Sequence, residues 1–340
     1  PVFSDEFSER FFECNVDENW YSICSKEDAK AVLFQKGDYL LLPDVNIRVI
    51  ATKKYLFKTL VDEGINVYAL LHDIIPLRYP DYYSASYTYE FRLYVDALTV
   101  MNGIIANSES TMKDFIAWSN EACINLPDDY LLTFFRLGSD VKSKTGRLNK
   151  NENLEVIKAL ESKKTFLVVS TIEPRKCHEQ ILDAFELLWN AGKEFNLVFA
   201  GKYGWQMEKF ASRMDRHKEK GKRFWWFEGV SDIYLEKLYR VSDVVIMASK
   251  CEGFGLSLVE AAFYDKKIIA RDIPVFREVA GNGAYYFSSD TGEGLAEDIL
   301  RWAKMDSEGN SPSSQNICTV SWRDSSIEFL KKIGIGLENG

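Results

Sequence analysis

The stretch that decides the fold is residues 249–260, SKCEGFGLSLVE. It follows residues 244–248, VVIMA, an apolar run typical of a buried strand, and it continues into LVEAAF, which is typical of a helix. A strand, a glycine-containing loop and the start of a helix therefore follow one another. The unbonded amides and the positive dipole end of such a helix form an anion site, and Gly253 and Gly255 allow a ligand to approach the backbone closely.

Two carboxylates, Glu252 and Glu260, bracket this turn with seven residues between them. Ser257 followed by Glu260 three residues later fits a capping box, in which case Glu260 is structural. A negatively charged Glu252 beside an anion site is harder to explain structurally. It suits a ligand that carries hydroxyl groups as well as phosphate.

The spacing Glu252-x7-Glu260 around Gly-Phe-Gly-Leu resembles the E-x7-E motif of retaining glycosyltransferases of family 4, which have the GT-B fold. Two further segments resemble that family: residues 170–176, STIEPRK, and residues 270–281, ARDIPVFREVAG. The resemblance is continuous over about residues 163–330 and weakest over the first 35. Three motifs in the expected order indicate this family more strongly than one motif does.

Alternating apolar runs and amphipathic stretches predict an α/β protein with parallel sheets. The resemblance implies two Rossmann-like, doubly wound domains that face each other across a cleft. We expect an acceptor-side domain at 1–150 and a donor domain at 151–320, joined by a linker at 138–153. A C-terminal helix at 321–340 is expected to cross back to the first domain. The predicted strands are 39–42, 66–71, 103–106, 131–135, 165–169, 195–200, 223–227, 243–248, 267–270 and 284–287, and the predicted helices include 47–62, 84–100, 178–191, 205–219, 232–241 and 322–334.

Composition narrows the classes of partner. The net charge of −9 argues against nucleic acid, and six scattered cysteines without metal-ligand spacing indicate reduced thiols and a cytoplasmic protein. No apolar run approaches membrane-spanning length, and no Asp-x-Asp metal site is present, so we expect neither a metal nor another cofactor. The chain begins with Pro1, which leaves open a piece of a larger protein.

Residues 202–223 carry eight Lys and Arg residues against three acids, next to Trp225 and Trp226. A solvated helix face explains this segment. Because acceptors in the resembling family are often lipid-linked, the alternative is peripheral contact with an anionic membrane surface.

The candidate donor site combines cations and backbone dipoles. Lys176 and Arg175 would neutralise a diphosphate, assisted by the amides of residues 253–256, which are Gly253, Phe254, Gly255 and Leu256. The resemblance implies that Glu260 accepts from ribose hydroxyls and that Glu252 contacts the donor sugar. It also implies that backbone around Gly229, Val230 and Ser231 reads the base. Many family members have Gly-Arg where this chain has Ser170-Thr171, so either Arg175 replaces the missing cation or the affinity for the donor is lower.

His72 follows the predicted strand 66–71, at the strand end where α/β sheets bind ligands. The resemblance implies a catalytic or sugar-contacting role for His72, with Asp73 able to orient its ring. A purely structural histidine is the alternative. The glycine-rich acceptor loop usual in the family is missing from the sequence, whose first glycine is Gly37.

The resemblance implies a retaining hexosyltransferase, and the cations and backbone amides of the candidate site make a metal unnecessary. It further implies a nucleotide-diphosphate sugar as donor, with GDP-mannose expected, and a glycan or lipid-linked glycan as acceptor in surface polysaccharide synthesis. Two alternatives remain: a non-catalytic GT-B module of a larger synthase, and a sugar-nucleotide epimerase.

Overall fold

A computed structural model of the chain describes residues 33–139 and 152–336, together with the backbone of three short strands before residue 33. The chain divides into two compact units. The first contains Pro1–Asn107, Thr111–Phe134 and Lys331–Gly336, and the second contains Ser108–Ser110 and Phe135–Leu330. Most of the predicted linker at 138–153 lies outside the described residues.

The first unit contains two sheets. Strands β1 (Val2–Ser4), β2 (Phe11–Glu13) and β3 (Lys30–Ala31) form a small antiparallel sheet. A parallel sheet has the order β4 (Tyr39–Leu42), β5 (Asn66–Leu71), β6 (Gly103–Ala106) and β7 (Leu131–Phe134). The connecting helices are α1 (Ile47–Thr52), α2 (Lys54–Asp62), α3 (Ile75–Arg78), α4 (Ala85–Leu98) and α5 (Glu109–Glu121). The first two residues of α5, Glu109 and Ser110, group with the second unit.

The second unit contains a parallel six-stranded sheet. Its strands are β8 (Thr165–Val169), β9 (Asn196–Ala200), β10 (Phe224–Phe227), β11 (Val244–Met247), β12 (Lys267–Arg271) and β13 (Tyr285–Phe287), in the order β10-β9-β8-β11-β12-β13. Its helices are α6 (Leu154–Glu161), α7 (His178–Asn190), α8 (Glu208–Asp215), α9 (Asp232–Val241), α10 (Leu256–Phe263), α11 (Pro274–Ala280), α12 (Gly292–Ser307) and most of α13 (Trp322–Lys332), of which Lys331 and Lys332 group with the first unit. The strand order reverses between β8 and β11, and parallel sheets bind ligands at the carboxyl ends of the strands at such a switch point.

Two predicted helices differ from the structure. The predicted helix 47–62 is divided at Lys53, whose dihedral angles (φ −100°, ψ 12°) leave the helical region between α1 and α2. The predicted helix 205–219 is shortened to α8. It cannot begin at Trp205, because Gln206 has a φ of 56°, in the left-handed region.

The polar groups of the segment Ser108–Ser110, which groups with the second unit, bond to residues of that unit. The Ser108 hydroxyl donates to the Gly253 carbonyl oxygen at 2.6 Å. The Glu278 carboxylate accepts from the Glu109 and Ser110 amides at 2.7 and 2.8 Å. Glu278 therefore satisfies two amides that the first turn of α5 leaves without helical partners.

Each unit has its own apolar core. In the second unit, the fully buried Phe166 of β8 makes edge-to-face contacts with Phe185 of α7 and Trp302 of α12, at centroid distances of 5.1 and 5.6 Å. These rings join the central strand to two helices on one face of the sheet. The sheet that carries the candidate site is therefore fixed by aromatic packing.

We expect Phe166→Ala to lower the free energy of unfolding of the second unit by about 3–5 kcal/mol, because it removes three ring contacts and leaves a cavity. Urea denaturation followed by tryptophan fluorescence measures this loss. Leu187→Ala on α7 is the control, since 42% of Leu187 is exposed and its loss leaves no cavity. Equal effects of the two substitutions would contradict this account of the core.

Candidate active site

The candidate site is formed by the loops that follow β8 and β11, the two strands at the switch point. The Lys250 amide donates to the Arg175 carbonyl oxygen at 2.9 Å. The Arg175 guanidinium donates to the Cys251 carbonyl oxygen, also at 2.9 Å. The Ser257 hydroxyl, on α10, donates to the Val169 carbonyl oxygen at the end of β8. These three bonds hold the loops and the start of α10 together.

A buried cluster of four charges lies between the two loops. Nη1 of Arg175 is 3.0 Å from Oε2 of Glu252, and its Nη2 is 2.8 Å from Oε1 of Glu173. The Lys176 ammonium group also donates to Glu252. Side-chain exposure is only 3% for Glu173, 9% for Glu252, 13% for Lys176 and 14% for Arg175. Charges this deeply buried are tolerated because they are paired.

The pairing determines the protonation of Glu252. Burial alone would raise the pKa of this carboxyl group, but Lys176 and Arg175 outweigh it and lower the pKa to about 2. Glu252 is therefore ionised at neutral pH. It can accept a hydrogen bond from a hydroxyl group or stabilise positive charge.

The two predicted cations have different surroundings. Arg175 donates to Glu173, Glu252 and the Cys251 carbonyl oxygen, so it cross-links the loops. Lys176 ends a short 3₁₀ turn and pairs with Glu252. A lysine keeps the freedom to reorient its three donors, so Lys176 is the better suited of the two to meet a diphosphate.

Gly255 begins α10. Its φ is 92°, and a Cβ atom there would lie 2.9 Å from Cε1 of Phe276. Glycine is therefore required both by the backbone conformation and by the closeness of Phe276. The helix starts at Leu256, so its N-terminus, the end at which a helix can bind an anion, adjoins the loop at 249–255.

The capping-box interpretation of Ser257 and Glu260 is wrong. Gly255 is the N-cap residue, and Ser257 lies inside α10 with its hydroxyl bonded to Val169. Glu260 instead accepts a hydrogen bond from the Tyr239 hydroxyl at 2.7 Å. Burial raises the pKa of Glu260, although the Tyr239 hydrogen bond opposes that rise.

The predicted base-reading segment follows β10. Gly229 adopts a φ of 65°, and Ser231 is the N-cap residue of α9. The Ser231 amide and hydroxyl both donate to Glu152, at 2.5 and 2.8 Å. The Ser231 amide is therefore engaged by Glu152 within the second unit.

His72 follows β5 in the first unit. Its Nε2 is 3.2 Å from the Pro43 carbonyl oxygen, so Nε2 carries the proton and Nδ1 is the acceptor in the neutral ring. Asp73, the next residue, accepts a hydrogen bond from the Ile75 amide at 2.9 Å.

The other two histidines have structural surroundings. His178 is fully buried, bonds the Ser170 hydroxyl at 3.1 Å, and has a pKa lowered to about 3, mainly by burial. His217 lies 2.9 Å from Glu186. Both belong to the packing of the second unit.

Three residues beyond the predicted set support the site: Glu173, Tyr239 and Arg271. The buried Arg271 donates to the Ala248 carbonyl oxygen at 2.8 Å and to the Ser289 carbonyl oxygen at 3.0 Å, which fixes the backbone just before the loop at 249–255. The sequence contains only weak signals for a role of these three residues. Glu173 and Arg271 lie inside recognised motifs, and Tyr239 is distinguished only by its place on the buried face of α9.

The residues described by the structure contain no cluster of three or more side chains suited to hold a metal ion. Within the same residues, every helix is too short or too polar to cross a membrane.

Comparison with known families identifies the second unit. Residues 149–316 match the family described as "Glycosyl transferases group 1". These residues form a group 1 glycosyltransferase domain. The match contains both loops of the candidate site, and it agrees with the resemblance carried by Glu252 and Glu260.

Curated relatives extend the similarity beyond this domain. The serotype-specific mannosyltransferase WbdA of Escherichia coli is 33% identical over 308 residues, which is 89% of this chain and 38% of WbdA. The chain thus spans well under half the length of this relative. The O-antigen chain mannosyltransferase RfbU of Salmonella typhimurium is 26% identical over 247 residues, which is 72% of this chain and 62% of RfbU.

Solved structures establish the fold. HepE of Anabaena, solved with UDP-glucose, superposes with a TM-score of 0.62 at 17% identity, covering 86% of this chain and 77% of HepE. A trehalose-phosphate synthase of Burkholderia xenovorans gives a TM-score of 0.63 at 13% identity, covering 88% and 74%. The chain therefore has the GT-B fold expected from its sequence.

Removing the Glu252 charge should destabilise the second unit, because Glu252→Gln leaves two buried cations with less compensation. We expect a loss of about 3–5 kcal/mol at pH 7. Since the pKa of Glu252 is lowered in the folded state, its contribution is full above its ordinary pKa of about 4.3. That contribution disappears as the pH falls through about 2.

The measurement is urea denaturation of wild type and Glu252→Gln between pH 7 and pH 2.5. The difference between the two proteins should shrink steadily below about pH 4.3. Glu297→Gln is the control, because 72% of that side chain is exposed. A difference that stays constant over the whole pH range would refute the assigned ionisation of Glu252.

Proposed function

We propose that this chain transfers a mannosyl residue from a nucleotide-diphosphate donor, GDP-mannose, to a glycan or lipid-linked glycan acceptor in surface polysaccharide synthesis. The observation that carries the proposal is the charged cluster of Lys176 and Glu252 beside the N-terminus of α10, at the switch point of a group 1 glycosyltransferase domain. The similarity to mannosyltransferases WbdA and RfbU supports the choice of sugar.

The proposed reaction breaks the bond between the anomeric carbon and a diphosphate oxygen, and the acceptor hydroxyl oxygen forms the new bond on the same face of the sugar. The acceptor proton goes to the departing diphosphate. Positive charge develops on the sugar, which an ionised Glu252 would stabilise. Negative charge develops on the diphosphate, which Lys176 and the first amides of α10 would bind. Retention of configuration follows from same-face attack.

Glu260 would accept hydrogen bonds from the ribose hydroxyls, and Gly229 and Val230 would contact the base. We propose that these protein groups suffice for the diphosphate charge, so that the reaction needs no metal ion. For His72 we propose contact with a sugar hydroxyl through Nδ1, the nitrogen that the Pro43 contact leaves as an acceptor.

The first test measures thermal stability with millimolar GDP, UDP and ADP, in the presence and absence of EDTA, for wild type and Glu260→Gln. A ligand that binds the folded state raises the melting temperature by mass action. We expect GDP to raise it, EDTA to leave the shift unchanged, and Glu260→Gln to reduce it. Glu293→Gln, an exposed carboxylate on α12, is the matched control.

Product analysis then tests the reaction. Incubation with GDP-mannose and a mannose-terminated oligosaccharide should give an α-linked product, identified by NMR of the anomeric carbon. Turnover of GDP-mannose to another sugar nucleotide without an acceptor would instead identify an epimerase. If no diphosphate shifts the melt and no product forms, a non-catalytic module is the better description.

Two further features of the setting are proposals. Because the chain matches 38% of WbdA, we infer that it acts as one glycosyltransferase unit of a longer protein. We also propose peripheral contact with an anionic membrane from the cytoplasmic side, through the cationic surface around α8.

The cationic surface is formed by Lys209, Arg216 and Lys218, which line a cavity of about 540 Å³. Among the residues described by the structure, no carboxylate forms an ion pair with these three. Other cations of the segment are neutralised: Arg213 pairs with Asp183 at 2.6 Å. Unpaired cations on a chain of net charge −9 favour an anionic partner.

Reversing all three charges, by Lys209→Glu, Arg216→Glu and Lys218→Glu together, should reduce binding to phosphatidylglycerol vesicles at least about tenfold, since each basic residue near such a surface contributes about 1 kcal/mol. Co-sedimentation at low and high salt measures the loss. The control reverses three exposed lysines elsewhere in the second unit, Lys158, Lys193 and Lys304. Equal loss in both variants would show that only net charge matters.

A further inference from the structure

We propose that Tyr239 is a positioning residue of the donor site: its buried hydroxyl holds one oxygen of Glu260, so that the other oxygen can accept from a ribose hydroxyl. The inference rests on the ribose-binding role proposed for Glu260. It adds a residue that neither the motifs nor the family match assigns to the site.

The contact is short and its direction is determined. The Tyr239 hydroxyl is 2.7 Å from Oε2 of Glu260. The tyrosine hydroxyl donates and the carboxylate oxygen accepts. The hydrogen bond engages Oε2, and no described residue is bonded to Oε1, which is therefore available to a ligand.

Packing fixes the position of the Tyr239 hydroxyl. Tyr239 is 1% exposed on α9, and its ring stacks on Tyr264 at a centroid distance of 5.0 Å and an interplanar angle of 17°. Tyr264 is the C-cap residue of α10, the helix that carries Glu260, and its amide donates to the Glu260 carbonyl oxygen at 3.2 Å. The donor on α9 and the acceptor on α10 are therefore held in register by one aromatic pair.

Electrostatics give the hydroxyl a second role. Burial raises the pKa of Glu260, Asp232 on α9 raises it further, and the Tyr239 hydrogen bond lowers it. The groups that face this pair from α9 and α10 are Asp232, Tyr264 and Ser257. Burial and the nearby carboxylate raise the pKa of Tyr239 well above its ordinary value, so Tyr239 remains a donor at every pH of interest.

Deleting the Tyr239 hydroxyl should therefore change both the orientation and the ionisation of the Glu260 carboxyl group. In Tyr239→Phe, Glu260 loses a fixed partner and its pKa rises further. A protonated or misdirected carboxyl group is a poorer acceptor for ribose. Because the ionised form is the one that binds, affinity is lost as the pH falls through the pKa of Glu260, and in the variant this loss should begin at a higher pH.

The experiment is calorimetric titration of wild type, Tyr239→Phe and Tyr234→Phe with GDP, UDP and ADP, each compared with its 2′,3′-dideoxy analogue, between pH 5 and pH 8. Tyr234 is the matched control. It is equally buried on the same helix, but its hydroxyl donates to the Asn153 carbonyl oxygen at 3.0 Å instead of to Glu260.

For the ribonucleotide that binds, we expect Tyr239→Phe to weaken affinity about tenfold at pH 7, the effect of losing one hydrogen bond to a charged group. The dideoxy analogue should bind both proteins equally, because it has no hydroxyl for Glu260. In Tyr239→Phe, the loss of affinity at low pH should begin at a higher pH than in wild type. Tyr234→Phe should match wild type in its affinity at pH 7 and in its pH dependence.

Different failures have different meanings. If wild type binds a ribonucleotide, and Tyr239→Phe binds it with the same affinity and pH dependence, the positioning role is overturned and the proposed function stands. An equal loss for the ribonucleotide and its dideoxy analogue would also overturn it, since that is general damage to the fold. If wild type binds none of the three diphosphates, the proposed function and this inference fall together.

Discussion

The candidate site depends on the burial of charge between two loops of one sheet. Arg175 and Lys176 come from the loop after β8, and Glu252 comes from the loop after β11. None of these side chains could be buried alone, because an isolated ion in a poorly solvated place is strongly destabilised. Each loop therefore requires the other. The ion cluster, the Arg175 contact with the Cys251 carbonyl oxygen and the Lys250 amide bond together define the loop geometry from which α10 begins.

The two carboxylates of the motif have opposite environments. Glu252 lies among cations, and its pKa is lowered to about 2. Glu260 lies among aromatic rings, and burial raises its pKa. Only one turn and the first residues of α10 separate them in the chain, yet they are suited to different roles. Glu252 supplies a permanent negative charge, and Glu260 supplies a directed hydrogen-bond acceptor. This division fits a ligand with a reactive, charged end and a neutral, hydroxyl-bearing end.

Much of this architecture could be predicted from the sequence. Continuous apolar runs such as residues 66–71 and 165–169 are typical of strands covered on both faces, and each was found as a parallel strand. The sequence predicted a glycine-containing turn between β11 and α10, and Gly255 in that turn has a φ of 92°. Helix ends were predicted less well. The left-handed conformation of Gln206 and the break at Lys53 depend on local backbone dihedrals that periodicity does not reveal.

The sequence by itself determined the class of fold, the order of strand, loop and helix, and the identity of the two carboxylates, because these depend on local pattern and spacing. The tertiary structure decided what each group touches. The spacing of Ser257 and Glu260 resembled a capping box. Only the packing of α9 against α10 showed that the hydrogen-bond partner of Glu260 is Tyr239, 21 positions away. Likewise, Arg175 and Lys176 are 77 and 76 positions from Glu252, and β8 and β11 bring them together as neighbours in the sheet. Hydrogen bonds and ion pairs act over a few ångströms in space, whatever the separation along the chain, so a residue's partner is a property of the fold.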